Sequence, residues 1–531
     1  MRIAVLGGGP GGLFAATLVK TGDPRREVVL FERNRAEDTF GFGVVFSDAT
    51  LDGIHAADPV LRTALTEHGV HWDPIEVRLH GERFACHGNG MAAVERRTLQ
   101  RLMQQRAVEA GVDVRFSTPV DPDQLLAGGY DLVVAADGAN SRLRDRFAEV
   151  FEPSVETATA KFIWLGTSHP FEGLTFIHER SPHGVFAVHG YPIGNGVSTF
   201  IVETDEESWR AAGLDEFDVN QPPGKSDEKT RAYLQELFAE QIDGAPLLVN
   251  NSRWGNFRTR RARRWRHRAG GTAIALLGDA AHTAHFSVGS GTKMAMEDAV
   301  ALAASLDEHP DDIDAALVAY ETTRQPQVTR IQDSARPSLS WWEHFGRSYD
   351  TLPPWQFAYH FFTRSLPESK LRRRDDGFVE DVHALWRDEH HAEPLASPLA
   401  VGTGRLAGRR VEIVDGAVVL DGSEPLRLRS EPGEDPGAWG LWVDAPESEA
   451  ELPAALDLIG KAAAAGSSLV AVGGGTTLTR RLLCEVARLE RGTISLLVED
   501  VDPDRADDVA VTAVLSGRAD LVGVTGRPDA P

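Results

Sequence analysis

Three clusters of glycines and acids, one run of arginines and three histidines are the parts of this 531-residue sequence whose types and spacing could do chemistry. Gly7, Gly9 and Gly12 satisfy G-x-G-x-x-G, with Pro10 and Gly11 inside the pattern. In that spacing the first glycine permits a tight turn, the second lets a pyrophosphate approach the backbone, and the third lets a helix pack closely on a strand. Glu32 stands 20 residues after Gly12, where a carboxylate can accept hydrogen bonds from an adenosine ribose, and Arg33 follows it. The other two clusters are Asp137-Gly138 and Gly278-Asp279, the second leading to Gly289, Gly291 and Thr292. His189, His282 and His285 titrate near neutrality and are candidates to accept or shuttle a proton, although a buried histidine also needs partners for purely structural reasons. Arg258, Arg260, Arg261, Arg263, Arg264, Arg266 and Arg268 could clamp phosphates or form a solvated strand ahead of a buried one.

These residues need elements to hold them. RIAVL (2–6) reads as a buried strand, LFAATLVK after the glycines as a helix, and EVVLFE as a second strand ending on Glu32. Strand, glycine turn, helix, strand and acid in that order predict a Rossmann-type dinucleotide fold with the helix N-terminus facing the diphosphate. DLVVAADG and AIALLGD are two more apolar strands running into acids, so the fold class is α/β, with the dinucleotide domain over 1–160 and 260–388. Short alternating runs such as GVFAVHGY and VSTFIVET predict an antiparallel substrate-binding sheet inserted over 161–259. Trp164, Phe176, Phe186, Tyr191 and Phe200 in it either line a pocket or fill a core. Phe46 and Phe286 join Trp164, Phe176 and Tyr191 as candidate substrate contacts. Residues 389–404, with two prolines, read as a linker, and 405–531 as a small C-terminal α/β domain of about four β/α units.

Composition limits the partners. A formal net charge of -24 and a pI near 5.2 give a surface that repels a phosphate backbone, so no nucleic acid is expected. Two cysteines are too few for a disulfide framework or a cysteine metal site, and no metal is implied. The chain opens on a strand with no basic leader ahead of an apolar core, and no run reaches membrane-spanning length; the expectation is a cytoplasmic protein with no membrane contact.

The glycine motif together with DLVVAADGANSRLRDRF and AIALLGDAAHTAHFSVGSGTKMAMEDAVAL resembles the three-part signature of the p-hydroxybenzoate-hydroxylase-like flavoprotein monooxygenases. The resemblance implies FAD rather than NAD as the bound dinucleotide. It gives Asp279 to the ribityl chain, the backbone of Gly289 to Thr292 to the flavin pyrimidine edge, and Arg96, with a register uncertain by one against Arg97, to the diphosphate side. A helix N-terminus there suits the negative charge of a reduced flavin. The segments 39–59, 162–177 and 183–215, with the Gly278-Asp279 region, are similar to the monooxygenase part of salicylyl-CoA 5-hydroxylases and anthraniloyl-CoA monooxygenases over about residues 1–385. Phe286 stands near where the wider superfamily commonly has a proline, as in this subgroup.

The resemblance implies an oxidoreductase that takes NADH or NADPH as transient reductant and O2, and hydroxylates an electron-rich small-molecule aromatic, an aryl-CoA thioester, through a flavin C4a-hydroperoxide. An untethered aromatic or indole-type substrate is the alternative, and the Trp-x-Trp-x-Ile-Pro stretch of flavin halogenases is missing. In the anthraniloyl-CoA enzymes the C-terminal position holds an FMN reductase barrel. The tail here is too short for one, which implies a truncated barrel-like remnant without FMN; a thioredoxin-like appendage is the alternative. An open remnant would expose strand edges, to be covered on the enzyme body or in a homodimer.

Overall fold

In a computed structural model of the protein, residues 1–39, 41–217, 226–286, 289, 291–433 and 438–525 are described. They fall into two compact units, Met1–Arg78 with Asn89–Glu343, and Leu79–Gly88 with His344–Pro531.

Six strands form the first sheet of unit one, in the order Arg266–Ala269, Thr272–Leu276, Leu132–Ala135, Arg2–Leu6, Glu27–Phe31, Asp113–Arg115. All but the first are parallel to their neighbours. Their apolar runs, LVVA and TAIAL above all, are wholly buried, as strands covered on both faces must be. Leu6 pairs with Ala135 and Ala135 with Leu276, so the chain leaves three adjacent strands at one edge. That register brings Gly7, Asp137-Gly138 and Gly278-Asp279 together, at the carboxyl ends of the strands where α/β sheets bind ligands. Helices Pro10–Gly22 and Gly291–Glu308 lie together beside that edge; a Cβ on Gly11 would be 3.0 Å from the Ala295 Cβ.

The second sheet of unit one is antiparallel in its main body, as its alternating pattern predicts. Pro153–Thr167 pairs with Val197–Thr204, which pairs with Gly184–Gly194, which pairs with Leu174–Ser181. Pro153–Thr167 also pairs with Gly255–Ala262, so two long strands carry the chain into and out of this region. Alternation divides the side chains between two faces. Ile163, Leu165, Phe186, Val188, Phe200 and Val202 form one face and pack with Leu234 and Phe238 from the covering helical segment. Phe186 and Phe200, read from sequence as either pocket or core, are therefore core. Phe162, Trp164, Phe176, His189 and Glu203 are on the other face.

Unit two carries a sheet in the order Arg410–Val411, Leu521–Thr525, Ser495–Asp500, Leu469–Gly473, Gly440–Asp444, Leu426–Arg429, Ala417–Val418, Ile413–Val414. Helices Leu452–Ala464, Thr477–Glu485 and Pro503–Leu515 connect its four central parallel strands. Only Glu412 separates the strands at the two ends of the order, so the sheet curls into a nearly closed barrel around Val418, Leu469, Leu496 and Leu521. A two-residue strand finishes each end, and both ends belong to one stretch of chain. The helical segment after Glu343 belongs to this unit. Arg518, 3% exposed, donates to the His360 carbonyl at 2.7 Å and to Thr363 Oγ1 at 2.9 Å, and Gln356 donates to the Leu515 carbonyl at 3.0 Å.

Phe238 is fully buried behind the second sheet. Phe238→Ala is expected to destabilise unit one by about 3–5 kcal/mol, seen as a lower urea midpoint for loss of its tertiary fluorescence, with no change in the residues that face the first sheet.

Candidate active site

The glycine turn is set by contact. Gly7 has φ +107, and a Cβ there would lie 2.3 Å from the Ala136 carbonyl oxygen; one on Gly12 would lie 2.1 Å from the Gly7 carbonyl oxygen. Around Gly9 nothing lies within 4 Å of that position, and no side chain caps the first turn of Pro10–Gly22. The first N–H groups of the helix are thus open to a diphosphate, beyond Pro10, which has none to give. Glu32 accepts hydrogen bonds from Gly8 N at 2.7 Å and Asn34 N at 2.8 Å, holding the turn from the end of the second strand, while Arg33 is exposed.

The second and third clusters face the same edge. Asp137 accepts from Arg142 N at 2.9 Å through Oδ2, while its buried Oδ1 has no partner among the described residues, and burial raises its carboxyl above the ordinary range. Gly138, Gly289 and Gly291 each have open space where a Cβ would stand. Asp279 presents an exposed side chain in a recess of the protein, and the surrounding protein raises its carboxyl against the pull of His282, Arg96 and Arg260. Gly291 and Thr292 begin the helix Gly291–Glu308; Ser290 of that loop lies outside the described residues.

Arg96 and Arg97 point in different directions. Arg97 is exposed, whereas Arg96 turns inward and sets its guanidinium 5.8 Å from the Trp164 ring centre. Its Nε is buried without a partner among the described residues, as is Trp164 Nε1. Both residues line a cavity of about 220 Å³ together with Gly41, Phe162, Ser252 and Arg253. Unused donors, open glycine backbone and an uncapped helix start form a cradle that suits an anionic dinucleotide.

The three histidines separate. His282 Nε2 is 2.7 Å from Asp298 Oδ2, which also accepts from Gly278 N at 3.0 Å; Asp298 Oδ1 accepts from Arg324 Nε at 2.8 Å. Burial alone would raise Asp298, but His282 and Arg324 outweigh it and the carboxyl is lowered. His282 thus braces the Gly278-Asp279 turn. His189 and His285 share a different carboxylate: His189 Nε2 is 3.2 Å from Glu203 Oε2, and His285 Nε2 is 3.0 Å from Glu203 Oε1. All three side chains are at most 4% exposed. Burial would raise Glu203; the two imidazoles overcome it and hold it at about 2.

Phe286 is the hub of the aromatic wall beside this pair. Its ring centre is 4.3 Å from His285, 5.5 Å from His189, 5.0 Å from Phe162 and 5.8 Å from Trp164. Phe176 and Trp342 flank His189 at 4.9 and 4.4 Å. Tyr191 stacks on Trp72, and burial pushes its hydroxyl up to about 12, so it stays protonated at neutral pH. Phe46 lies in the apolar core with Val44, 2% exposed. Sequence reasoning missed Glu203 and Phe162. The signal was present in VSTFIVET and KFIWLG, where alternation puts Glu203 opposite Phe162 and on the face of Trp164. Of the seven arginines, four meet carboxylates: Arg261 with Asp333 at 2.8 Å, Arg263 with Glu152 at 2.7 Å, Arg266 with Glu321 at 3.3 Å and Arg268 with Asp314 at 2.9 Å.

Comparison with known proteins agrees with this geometry. A family model described as FAD binding domain matches residues 130–335. Over 531 residues, 99% of this chain and 100% of the other, the sequence is 57% identical to a salicyloyl-CoA 5-hydroxylase of a Streptomyces species. The chain belongs to the FAD-dependent aromatic monooxygenases. A second relative of this monooxygenase, at 37% identity over 73% of the chain and 96% of the relative, is the 3-hydroxy-4-methyl-anthranilyl-[aryl-carrier protein] 5-monooxygenase of Streptosporangium sibiricum. The tetrameric form of 2-methyl-3-hydroxypyridine-5-carboxylic acid oxygenase shares the fold, with a TM-score of 0.51 at 21% identity over 65% of this chain and 92% of that one. No helix among the described residues of the monooxygenase is long and apolar enough to cross a membrane.

Two outcomes follow from the site. Gly12→Ala forces a side chain into the Gly7 carbonyl and is expected to yield protein without bound flavin, read from the ratio of visible to 280 nm absorbance. Glu203 ionises lower in the folded chain, at about 2, than its ordinary value of 4.5, so its contribution to stability is full above pH 4.5 and is lost as pH falls toward 2. Glu203→Gln should therefore flatten the acid limb of the stability curve over that window, measured by urea titration at each pH.

Proposed function

We propose that this monooxygenase hydroxylates an electron-rich ring carried as an aryl thioester, using NADH or NADPH as transient reductant and O2 as the oxygen source. The observation that carries the reading is the end-to-end likeness to an enzyme named for a coenzyme A thioester, joined by a shorter likeness to one named for an aryl-carrier protein. The geometry is compatible. Phe162, Trp164 and Phe286 supply aromatic walls, and the buried imidazoles of His189 and His285 stand beside them.

In this reading Gly7 to Gly12 and Glu32 hold the adenosine diphosphate half of FAD, and Asp279 with Gly289 to Thr292 hold the flavin half, which when bound supplies the oxygen-transfer chemistry. The chain's own work is positioning. The aromatic wall orients the ring and keeps water out, and the imidazoles take the proton of a ring hydroxyl, making the ring more electron-rich. Arg96 and Trp164 offer buried donors to an anionic or carbonyl group in the cavity that they line. Residence in a reducing compartment belongs to the same proposal, since Cys86 and Cys484 are both buried and outside any disulfide.

The pairing of four of the seven arginines favours a second reading, an untethered aromatic substrate, because those side chains are already engaged with carboxylates. The deciding measurement is NAD(P)H oxidation by the FAD-loaded protein with salicylyl-CoA, anthraniloyl-CoA and the corresponding free acids, with mass spectrometry of the products. Stimulation by a thioester with a gain of one oxygen is expected; stimulation by the free acids alone would transfer the assignment to the second reading. Trp164→Ala is expected to raise KM for the productive substrate about tenfold or more through lost ring burial, in steady-state kinetics.

A further inference from the structure

We propose that the cavity lined by Arg96 and Trp164 is a subsite for one acyl oxygen conjugated to the substrate ring, held by Arg96 Nε–H and Trp164 Nε1–H together. The proposal rests on the aromatic-hydroxylase reading above and deepens it: the subsite selects rings that carry a carbonyl or carboxylate and turns away those that do not.

Three observations place acceptor chemistry here. Arg96 Nε and Trp164 Nε1 are both buried without a partner among the described residues. A Cβ built on Gly41 would lie 3.8 Å from Arg96 Nε and 3.9 Å from Trp164 Cε2, the atom bonded to Nε1, so the two donors approach one point. Glycine leaves that point empty, and Gly41 has φ +77, in the region that favours it. The other walls among the described residues are Phe162, Asn250, Asn251, Ser252 and Arg253, so two arginines and no carboxylate line the cavity in a chain of net charge -24.

These walls are tied to one another. Arg96 N donates to the Phe42 carbonyl at 2.8 Å, Asn250 Nδ2 to the Gly41 carbonyl at 3.0 Å, and Ser252 Oγ to the Trp164 carbonyl at 2.6 Å. The backbone around both donors is therefore held before a ligand arrives, which lowers the cost of binding one. Neither N–H can accept a hydrogen bond, so the ligand atom between them must, and a carbonyl or ionised carboxylate oxygen does nothing else. An unsubstituted ring, or one with only an N–H to offer, leaves both donors buried and unmet, which is costly. A volume of about 220 Å³ is below the roughly 300–1,000 Å³ of pockets that enclose a drug-sized ligand, so the cavity takes a ring with its acyl group and leaves any longer tail outside. Phe162 and Trp164, with Phe286 at 5.0 and 5.8 Å from them, supply flat walls for that ring. Arg96 has five N–H groups, so a contact of its terminal nitrogens with a bound dinucleotide leaves Nε for the acyl oxygen.

The test uses oxidised, FAD-loaded protein without NAD(P)H and two probes, salicylyl-CoA and S-(2-hydroxybenzyl)-CoA, a thioether that differs only in having two hydrogens where the carbonyl oxygen stands. Dissociation constants are measured by calorimetric titration. Wild type should bind the thioester about tenfold or more tighter than the thioether, because the thioether leaves the two donors unmet. Trp164→Phe keeps an aromatic ring and removes its N–H. It should shrink that ratio about fivefold or more, with thioether affinity and FAD affinity each within about threefold of wild type. An unchanged ratio would overturn the proposal, and weaker FAD affinity with the ratio unchanged would assign the donors to the flavin instead. Should Trp164→Phe fail to hold FAD, the wild-type protein decides through the infrared stretch of salicylyl-CoA isotopically labelled at its carbonyl. Two donors lower that band below its position for the free thioester in the same buffer; a bound band at or above the free one sinks the proposal. Wild-type protein that neither binds nor hydroxylates salicylyl-CoA would remove the thioester reading alone. The ratio is then measured with salicylate against 2-hydroxybenzyl alcohol, and the acyl-oxygen subsite stands or falls on it.

Discussion

A fully buried carboxylate, Asp298, fixes the part of the molecule on which the active site depends. It sits in the helix Gly291–Glu308 and accepts from the Gly278 backbone, His282 and Arg324. These partners come from the end of a central strand, the turn beyond it and the long helix Ile313–Thr351. An ion left alone in such a place would cost several kcal/mol, so the three partners and the carboxylate require one another. With Asp298 in place the Gly278-Asp279 turn has one conformation, with φ +61 at Gly278, and the chain that leaves it carries Asp279, His285 and Phe286 to their positions. His282 therefore braces the turn, while His285, three residues on, stands in the aromatic wall.

The second sheet of unit one shows how one alternating sequence can serve two ends. On one face Phe186, Val188, Phe200 and Val202 make a core with Phe238. On the other, the same strands present Trp164, Phe176, His189 and Glu203. A one-residue slip in register would exchange the faces, burying a glutamate in the apolar core and putting phenylalanines in its place. The register is consequently held from both sides, by packing behind and by the paired imidazoles in front.

Charge is handled differently at the surface and inside. In the arginine-rich stretch through 258–268 of a strongly acidic chain, four of the seven arginines are committed to carboxylates on neighbouring segments. Arg96 and Trp164 do the opposite: each keeps a buried donor without a protein partner. Buried donors are costly when left so, and in a ligand-binding cavity the ligand completes them. Unit two solves a related problem of unmatched backbone. A partial barrel would leave ladder groups open, and its two short end strands, joined through Glu412, bring the edges of the sheet together.

The sequence by itself determined what is local. Strand, glycine turn and helix at the start, the acid at Glu32, and the two later strand-to-acid segments follow from apolar runs and glycine spacing, which were sufficient for a dinucleotide-binding α/β fold, while FAD and the family came from the resemblance of those segments to the flavoprotein monooxygenases. Alternation was sufficient for the antiparallel sheet and for about four C-terminal β/α units, and the resemblance supplied the barrel-like reading of the latter. Tertiary structure decided which of several equivalent residues does what. Arg96 rather than Arg97 faces inward; His282 braces while His189 and His285 pair; Phe46 is core; Phe162 and Glu203 join the site. The physical reason is that a period of two fixes which residues share a face but not which face meets the Gly278-Asp279 turn, and a histidine's role depends on which carboxylate the fold places within about 3 Å of it. Residues 14 apart, like His189 and Glu203, or 82 apart, like Glu203 and His285, become partners only through the pairing of strands and the path of one turn.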